Sequence, residues 1–154
     1  MKPRIYIDTS VIGGCIDDEF AVWSKMLFNE FHRGEKIAVV SDLTLQELEE
    51  SPQEVKQVLS RLPPESIEHV FLTEEAIKLA DAYIAHGVVD GKHFVDTQHI
   101  AIATIEQVDI LVSWNFKQIV NLGRIRKFNA VNLMLGYRTL EIRSPAEVLY
   151  GEEN

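Results

Sequence analysis

The sequence has one cysteine and no long apolar run, and each of these absences excludes a class of protein. Because Cys15 is the only cysteine among 154 residues, an internal disulfide cannot form and a reducing compartment is expected. No stretch approaches the ~18 apolar residues that a membrane-spanning helix needs. The apolar run near the N-terminus is also too short for the core of a signal peptide. The sequence therefore predicts a cytoplasmic protein.

Positive charge is also scarce, and it is unevenly distributed. The net charge of −9 argues by itself against a nucleic-acid partner. Residues 115–143, however, include six basic residues and one acid, so this segment carries +5 and the rest of the chain −14. Four of these cations are candidates for contacting the phosphates of a nucleic acid: Lys117, Arg124, Arg126 and Lys127. The alternative is an ordinary solvated surface without a partner.

The pattern of apolar residues predicts one α/β domain. Three short runs, rich in β-branched residues and apolar on both faces, are typical of buried parallel strands: 5–7, 37–40 and 110–112. Weaker strand candidates are 67–72 and the alternating run 140–143, which suits an edge strand. Amphipathic helical patterns lie between these runs, near 23–31, 42–51, 73–84, 94–106 and 124–135. A capping box with a proline in its first turn, at 51–54, starts a further helix. Strands spaced by helices predict a mainly parallel sheet, in a domain at 1–150 with a short acidic tail at 151–154.

Two acidic residues are expected near the carboxyl ends of strands, where sites form in such sheets. Asp8 follows the first strand and is followed by Ser10; its carboxylate either faces the crevice or caps the next helix. Glu47 lies one turn into the helix after the second strand. Thr44 and Glu47 also fit a capping box, which would give Glu47 a purely structural role. Each position alone is ambiguous.

Two further polar positions have the same ambiguity. Asp96 opens a nearly all-apolar helix and shares one face of it with His99, three residues later. The structural alternative is an N-terminal cap, with His99 hydrogen-bonded in the core. Asn115 follows the third strand, where an amide is more often a turn residue. Taken together, three acids and one amide at the carboxyl side of the sheet suit a hard divalent cation, which prefers oxygen ligands and can activate water against a phosphodiester.

Four segments resemble the successive motifs of the PIN-domain family, in the family's order and spacing. They are 6–11 (YIDTSV), 43–48 (LTLQEL), 96–103 (DTQHIAIA) and 111–116 (LVSWNF). The resemblance covers essentially the whole chain. It implies a three-layer α/β/α fold and a metal-dependent endoribonuclease, as in the VapC-like toxins of toxin–antitoxin pairs. It also suggests a homodimer and a small antitoxin protein as a partner.

The resemblance further implies roles for particular residues. Asp8, Glu47 and Asp96 would be catalytic and would bind Mg²⁺ or Mn²⁺, with Ser10 as a supporting hydroxyl. The family's fourth acidic position falls on Asn115, so one negative charge is missing and the binding of a second metal ion is left open. His99 matches a frequent variant within the family, whose role the pattern does not settle.

Other functions fit the sequence less well. A zinc site made of His93, Asp96 and His99 would need two histidines that point away from each other on a helix, and no cysteine partner is present. A phosphatase-like domain would need an aspartate where Ser10 stands, and a phosphate-receiver domain lacks its acidic pair at this strand. The main rival is a PIN fold without turnover that acts as an RNA-binding or protein-interaction module, which Asn115 and the acidic body favour.

Overall fold

In the computed structural model, which describes residues 1–152 and side chains through residue 149, five parallel strands form one sheet. The strands are β1 (Arg4–Ile7), β2 (Ile37–Ser41), β3 (Ile67–Val70), β4 (Ile110–Val112) and β5 (Ile142–Arg143). Their order across the sheet is β3-β2-β1-β4-β5, so β1 is central and lies between β2 and β4. The short apolar runs of the sequence thus form the middle of the sheet, and the alternating run forms an edge strand, as predicted.

Eight α-helices flank the sheet within the described residues. They are α1 (Thr9–Gly14), α2 (Ala21–His32), α3 (Asp42–Glu49), α4 (Gln53–Ser60), α5 (Glu74–Ala85), α6 (Phe94–Ile105), α7 (Leu122–Met134) and α8 (Pro145–Glu152). Neither α1 nor α8 is among the helices predicted from amphipathic periodicity. None of these helices is long and apolar enough to cross a membrane.

Alternate residues of the strands face two separate cores. Tyr6 of β1 packs with side chains of α5, α6 and α7 on one side of the sheet. Its neighbours Ile5 and Ile7 pack with side chains of α1, α2, α4 and α8 on the other. This is the period of two that a strand buried on both faces requires. The predicted α/β domain, with a parallel sheet between two layers of helices, is confirmed.

Helix α6 is buried on most sides, because its interior positions are almost all apolar. Residues 100–103 (IAIA) are at most 1% exposed, and α6 packs mainly against α5. The charged and imidazole side chains of α6, Asp96 and His99, therefore lie in its N-terminal half, at the edge of the sheet where β1 and β2 end. Helix α8 extends past the predicted domain boundary at residue 150. Residues 153–154 of the predicted tail lie outside the described residues.

Candidate active site

The three predicted carboxylates come from three elements that end or begin at one edge of the sheet. Asp8 follows β1 directly, Glu47 lies in α3, which follows β2 directly, and Asp96 lies in the first turn of α6. The negative charges of Asp8 and Glu47 both raise the pKa of Asp96. The three residues therefore share one electrostatic environment, although they are up to 88 positions apart in the sequence.

Asp8 is buried and held by three hydrogen bonds. The hydroxyls of Ser10 and Ser113 donate to its two carboxylate oxygens, each at 2.6 Å. The backbone N–H of Val11 donates at 3.3 Å, so Asp8 is also the N-cap of α1. Burial raises the pKa of Asp8, while the nearby His99 and these hydrogen bonds oppose the rise. Both interpretations of Asp8 from the sequence, cap and site residue, are consistent with this geometry.

Asp96 is more open, with 23% of its side chain exposed. It is not the N-cap of α6, because that helix begins after His93, which makes no side-chain capping bond. Desolvation raises the pKa of Asp96 most, and the charge of Asp8 raises it further. His99 opposes the rise, as does His93, whose Nδ1 lies 3.7 Å from Asp96 Oδ2. Removing this carboxylate would relieve crowded negative charge.

Glu47 does not form the capping box that its spacing from Thr44 suggested. Helix α3 is capped by the Ser41 hydroxyl, which accepts from the backbone N–H of Thr44 at 3.4 Å. The Glu47 carboxylate instead lies 2.8 Å from Nε2 of His99. With 42% of its side chain exposed, Glu47 retains access to solvent at this edge. The capping-box role predicted for Glu47 is therefore wrong, because its partner is His99.

A buried chain of hydrogen bonds lies behind Glu47. Nδ1 of His99 is 2.6 Å from the hydroxyl of Tyr6, which is 2.7 Å from the hydroxyl of Ser41. When Nε2–H of a neutral His99 donates to Glu47, Nδ1 accepts from Tyr6, so each ring nitrogen has one partner. Burial raises the pKa of Tyr6 far above its usual value, which keeps its hydroxyl proton available for donation. His99 therefore orients Glu47 from the core.

Sequence reasoning did not select Tyr6, Ser41 or Ser113. The signal for Ser113 was present, since it follows β4 as Asp8 follows β1, and Ile7 pairs with Val112 in the neighbouring strands. The signal for Tyr6 was weaker, because an aromatic residue within a strand usually only fills a core. Its contact with His99 joins residues 93 positions apart.

Asn115 belongs to the same hydrogen-bond network, but its amide oxygen is used locally. The backbone N–H of Asn115 donates to the Ser113 hydroxyl at 3.0 Å. Its side-chain oxygen accepts from the backbone N–H of Gln118 at 2.9 Å, which closes a turn. The turn role is therefore observed. The predicted role as a metal ligand stays a prediction and would use an oxygen that already accepts one hydrogen bond.

The predicted RNA-contacting cations have different environments. The guanidinium of Arg124 is half-buried and donates to the backbone carbonyl of Val88, so it fastens α7 to the loop after α5. Lys117, Arg126 and Lys127 are exposed. On the inner side of α7, residues 125, 128 and 131 pack toward the core, as its apolar spacing predicts. Arg126 and Lys127 are the cations of α7 that can reach a ligand without breaking such a contact.

The donor chemistry of this edge suits a hard cation. Asp8, Glu47 and Asp96 supply carboxylate oxygens, and the raised pKa values of Asp8 and Asp96 show that their charges are incompletely compensated. Among the side chains that the structure describes, no group of three or more His, Cys, Asp or Glu stands in position to hold a metal ion. These carboxylates would therefore have to rotate to share one cation.

Comparison with solved structures supports the fold. VapC20 from Mycobacterium tuberculosis, described as a sarcin–ricin loop cleaving toxin, superposes with a TM-score of 0.54 at 17% identity, covering 89% of this chain and 98% of that one. VapBC2 from Rickettsia felis, bound to a DNA fragment from its promoter, gives a TM-score of 0.56 at 13% identity, covering 92% and 98%. No protein-family model and no curated protein sequence matches the chain.

These likenesses define a class of fold. The parallel five-stranded sheet between two helical layers is the PIN-like α/β fold of the VapC structures. The expected PIN-like fold is therefore confirmed, although sequence identity to these structures is low.

Proposed function

We propose that this protein is a Mg²⁺- or Mn²⁺-dependent endoribonuclease of the VapC-like toxin type. The observation that carries the proposal is the convergence of Asp8, Glu47 and Asp96, with raised pKa values for both aspartates, at the carboxyl edge of a PIN-like sheet. The likeness to VapC20, a sarcin–ricin loop cleaving toxin, supports the same reaction class.

In this proposal the three carboxylates hold the cation. When bound, the cation would polarise the phosphodiester and lower the pKa of the attacking water. The chain's own groups prepare the site: Ser10 and Ser113 fix both oxygens of Asp8, and His99 orients Glu47. Such fixed outer contacts commonly matter 10- to 100-fold for metal affinity or activity.

The proposed partners follow from charge and from the structural neighbours. Lys117, Arg126 and Lys127 are exposed cations in the one basic segment of an acidic chain, so they are proposed to contact RNA phosphates. The VapBC2 structure supports a small antitoxin protein as a partner. A homodimer is proposed from the family resemblance. Copurification with the product of an adjacent small reading frame, and sedimentation of the purified chain, test these two assemblies.

The proposed activity is tested by RNA cleavage with Mn²⁺, with Mg²⁺ and with excess EDTA. Asp8→Asn and Asp96→Asn should each reduce the rate by at least about 100-fold, because each removes a charged cation ligand. Asp81→Asn, which removes an exposed acid on α5, is the matched control and should retain activity. Full activity in EDTA, or in Asp8→Asn, would contradict the proposal.

The alternative is a PIN-like RNA-binding or protein-interaction module without turnover. It is favoured by the absence of a preformed ligand group within the described residues and by the local hydrogen bond of Asn115. This module would bind RNA or a protein partner with the same affinity in wild type and Asp96→Asn, and neither protein would cleave RNA with Mn²⁺.

A further inference from the structure

A cavity of about 380 Å³ adjoins the acidic site. Its wall includes Ser10, whose hydroxyl holds Asp8, and Asn115, which is bonded to Ser113. A larger cavity of about 520 Å³ is lined mainly by α2 and α4 and includes none of the candidate site residues. The smaller cavity is therefore the one that a molecule bound at the carboxylates would reach first.

An aromatic wall forms one side of this cavity. The rings of Phe20 and Trp114 are stacked, with centroids 4.2 Å apart and planes within 17° of parallel. The indole N–H of Trp114 donates to the Ser24 hydroxyl at 2.8 Å, which fixes the orientation of the indole. Phe116, half of whose surface is exposed, packs edge-on against Trp114 at 6.0 Å. Aromatic surfaces held in this way bind a flat ring with little loss of side-chain freedom.

Two adjacent glycines of α1 shape the cavity differently. A Cβ at Gly14 would lie 2.5 Å from the Ser24 hydroxyl and 2.7 Å from the Trp114 indole nitrogen, so a side chain there would displace the indole. A Cβ at Gly13 would meet no heavy atom within 4 Å. Gly14 therefore allows the close packing of the aromatic wall, while Gly13 leaves the cavity itself open.

Polar groups at the rim suit the edge of a nucleobase. The oxygen of the Asn115 amide accepts from Gln118, so its NH₂ group is the part that can donate to a ligand. Asp17 uses Oδ1 to accept from the backbone N–H of Glu19 at 2.9 Å, and its other oxygen can accept. A base presents both donors and acceptors at its edge, beside a flat apolar face.

We propose that this cavity binds one nucleobase of single-stranded RNA against the ring of Phe20, which the buried Trp114 supports from behind. The phosphate next to that base would then lie over Asp8, because Ser10 belongs to both the cavity and the carboxylate site. The inference rests on the proposed function, since it names the part of an RNA substrate that the site recognises. Every base can stack on an aromatic ring, so the cavity positions the RNA strand and does not by itself select one base.

The test measures the binding of labelled RNA tetranucleotides to the Asp96→Asn protein by fluorescence anisotropy. Phe20→Ala should weaken binding about 5- to 150-fold, the usual effect of removing one base-stacking aromatic. Gly13→Leu should weaken it similarly by filling the cavity, and its backbone φ is not one that requires glycine. Phe71→Ala is the matched control, because Phe71 is 65% exposed in the segment after β3 and should have no effect.

Three readouts separate base stacking from a merely structural role. Phe20→Tyr should restore binding, because it retains the ring. The salt dependence should keep its slope in Phe20→Ala, because no phosphate contact is lost. An abasic oligomer of the same length keeps every phosphate. It should bind equally well to the Asp96→Asn protein and to the same protein with Phe20→Ala. Loss of affinity for the abasic oligomer as well would overturn the inference.

The outcomes distinguish this inference from the proposed function. If the native protein cleaves RNA with Mn²⁺ while Gly13→Leu and Phe20→Ala bind RNA normally, the base cavity is wrong and the nuclease stands. If these variants lose base-dependent binding but the native protein never cleaves RNA, the cavity stands and the nuclease is wrong. If the native protein neither binds nor cleaves RNA, both are wrong.

Discussion

The two edges of the sheet differ in how their charges are compensated. At the amino ends of the strands, the guanidinium of Arg4 donates to both carboxylate oxygens of Glu68, at 2.9 and 2.5 Å. The backbone N–H of Arg4 donates to the carboxylate of Asp109 at 2.7 Å. Just before β2, the buried ammonium of Lys36 is paired with Glu30. Each acid in this group is matched by a donor.

The carboxyl edge has the opposite character. Burial raises the pKa values of Asp8 and Asp96, and neighbouring acids raise that of Asp96 further, whereas the bond to Arg4 lowers the pKa of Glu68 at the other edge. The imidazole of His99 opposes both rises, but it already bonds Glu47. One edge therefore stabilises the fold, and the other retains negative charge that lowers stability. Such uncompensated charge is typical of a functional site.

The largest expected effect comes from breaking a pair at the amino edge. Lys36→Met should lower the free energy of unfolding by about 3–5 kcal/mol, because it leaves the buried charge of Glu30 without its ammonium. Urea denaturation measures this loss. The double variant Lys36→Met/Glu30→Leu is the control and should recover most of the stability, since no charge is then left buried. Equal losses in the single and double variants would refute the assigned pairing.

At the carboxyl edge, a single neutralisation should act in the opposite direction. Asp96→Asn should stabilise the metal-free protein by roughly 0.5–2 kcal/mol, the usual range for removing unfavourable charge. Folding raises the pKa of Asp96. The stability that Asp96 contributes is therefore fully present below the pKa of an unfolded aspartate, about 4, and is lost as pH rises through its folded pKa.

The pH dependence of stability provides the measurement. Thermal unfolding in EDTA should show that the advantage of Asp96→Asn over wild type increases as pH rises above about 4 and then levels off. Asp81→Asn should track the wild type throughout. An advantage that does not change with pH would mean that Asp96 carries no unfavourable charge in the folded protein.

A smaller effect is expected at Asn115. Asn115→Asp should tighten Mn²⁺ binding by about tenfold, a modest part of the range over which ligand charge tunes affinity. The stability of the fold should not change, because an aspartate oxygen can still accept from the backbone N–H of Gln118. Titration calorimetry gives the affinity and the stoichiometry. Unchanged values for both would show that residue 115 does not contact the cation.

The smallest expected effect concerns the basic segment. With ~4 phosphate contacts, the logarithm of RNA affinity should fall with a slope of about −3 against the logarithm of salt concentration. Arg126→Ala/Lys127→Ala should flatten that slope by up to about 1.4 units, since each contact contributes about 0.7. Arg124 is left intact because it fastens α7 to Val88. An unchanged slope would place the RNA elsewhere.

Sequence patterns predicted most of the fold but missed its first and last helices, α1 and α8. Strands β1, β2 and β4 were predictable because buried parallel strands are short, apolar and β-branched. Helix α8 has too few turns for a clear period, yet its start is marked by a reciprocal capping box. The backbone N–H of Glu147 donates to the Ser144 hydroxyl at 3.3 Å, and that of Ser144 donates to the Glu147 carboxylate at 3.0 Å.

The candidate site was predictable in its acids but not in its supporting contacts. Asp8 could be selected because it comes directly after a predicted strand, and Glu47 because it lies in the helix that follows the next one, on the side where parallel sheets form sites. The hydrogen bonds from Tyr6 to His99 and from Ser113 to Asp8 join residues about a hundred positions apart. Such pairs depend on strand order and register, which local patterns do not determine. The cavity beside Trp114 depends on the same long-range packing.

The central claim is that the carboxyl edge is a divalent-cation site, and Mn²⁺ binding tests it most directly. Electron paramagnetic resonance of free Mn²⁺, titrated with protein, counts bound ions without requiring a known RNA. The wild type and Asp81→Asn should bind at least one ion saturably, whereas Asp8→Asn and Asp96→Asn should bind about 10- to 100-fold more weakly. Equal binding by all four proteins, or none by the wild type, would contradict the account.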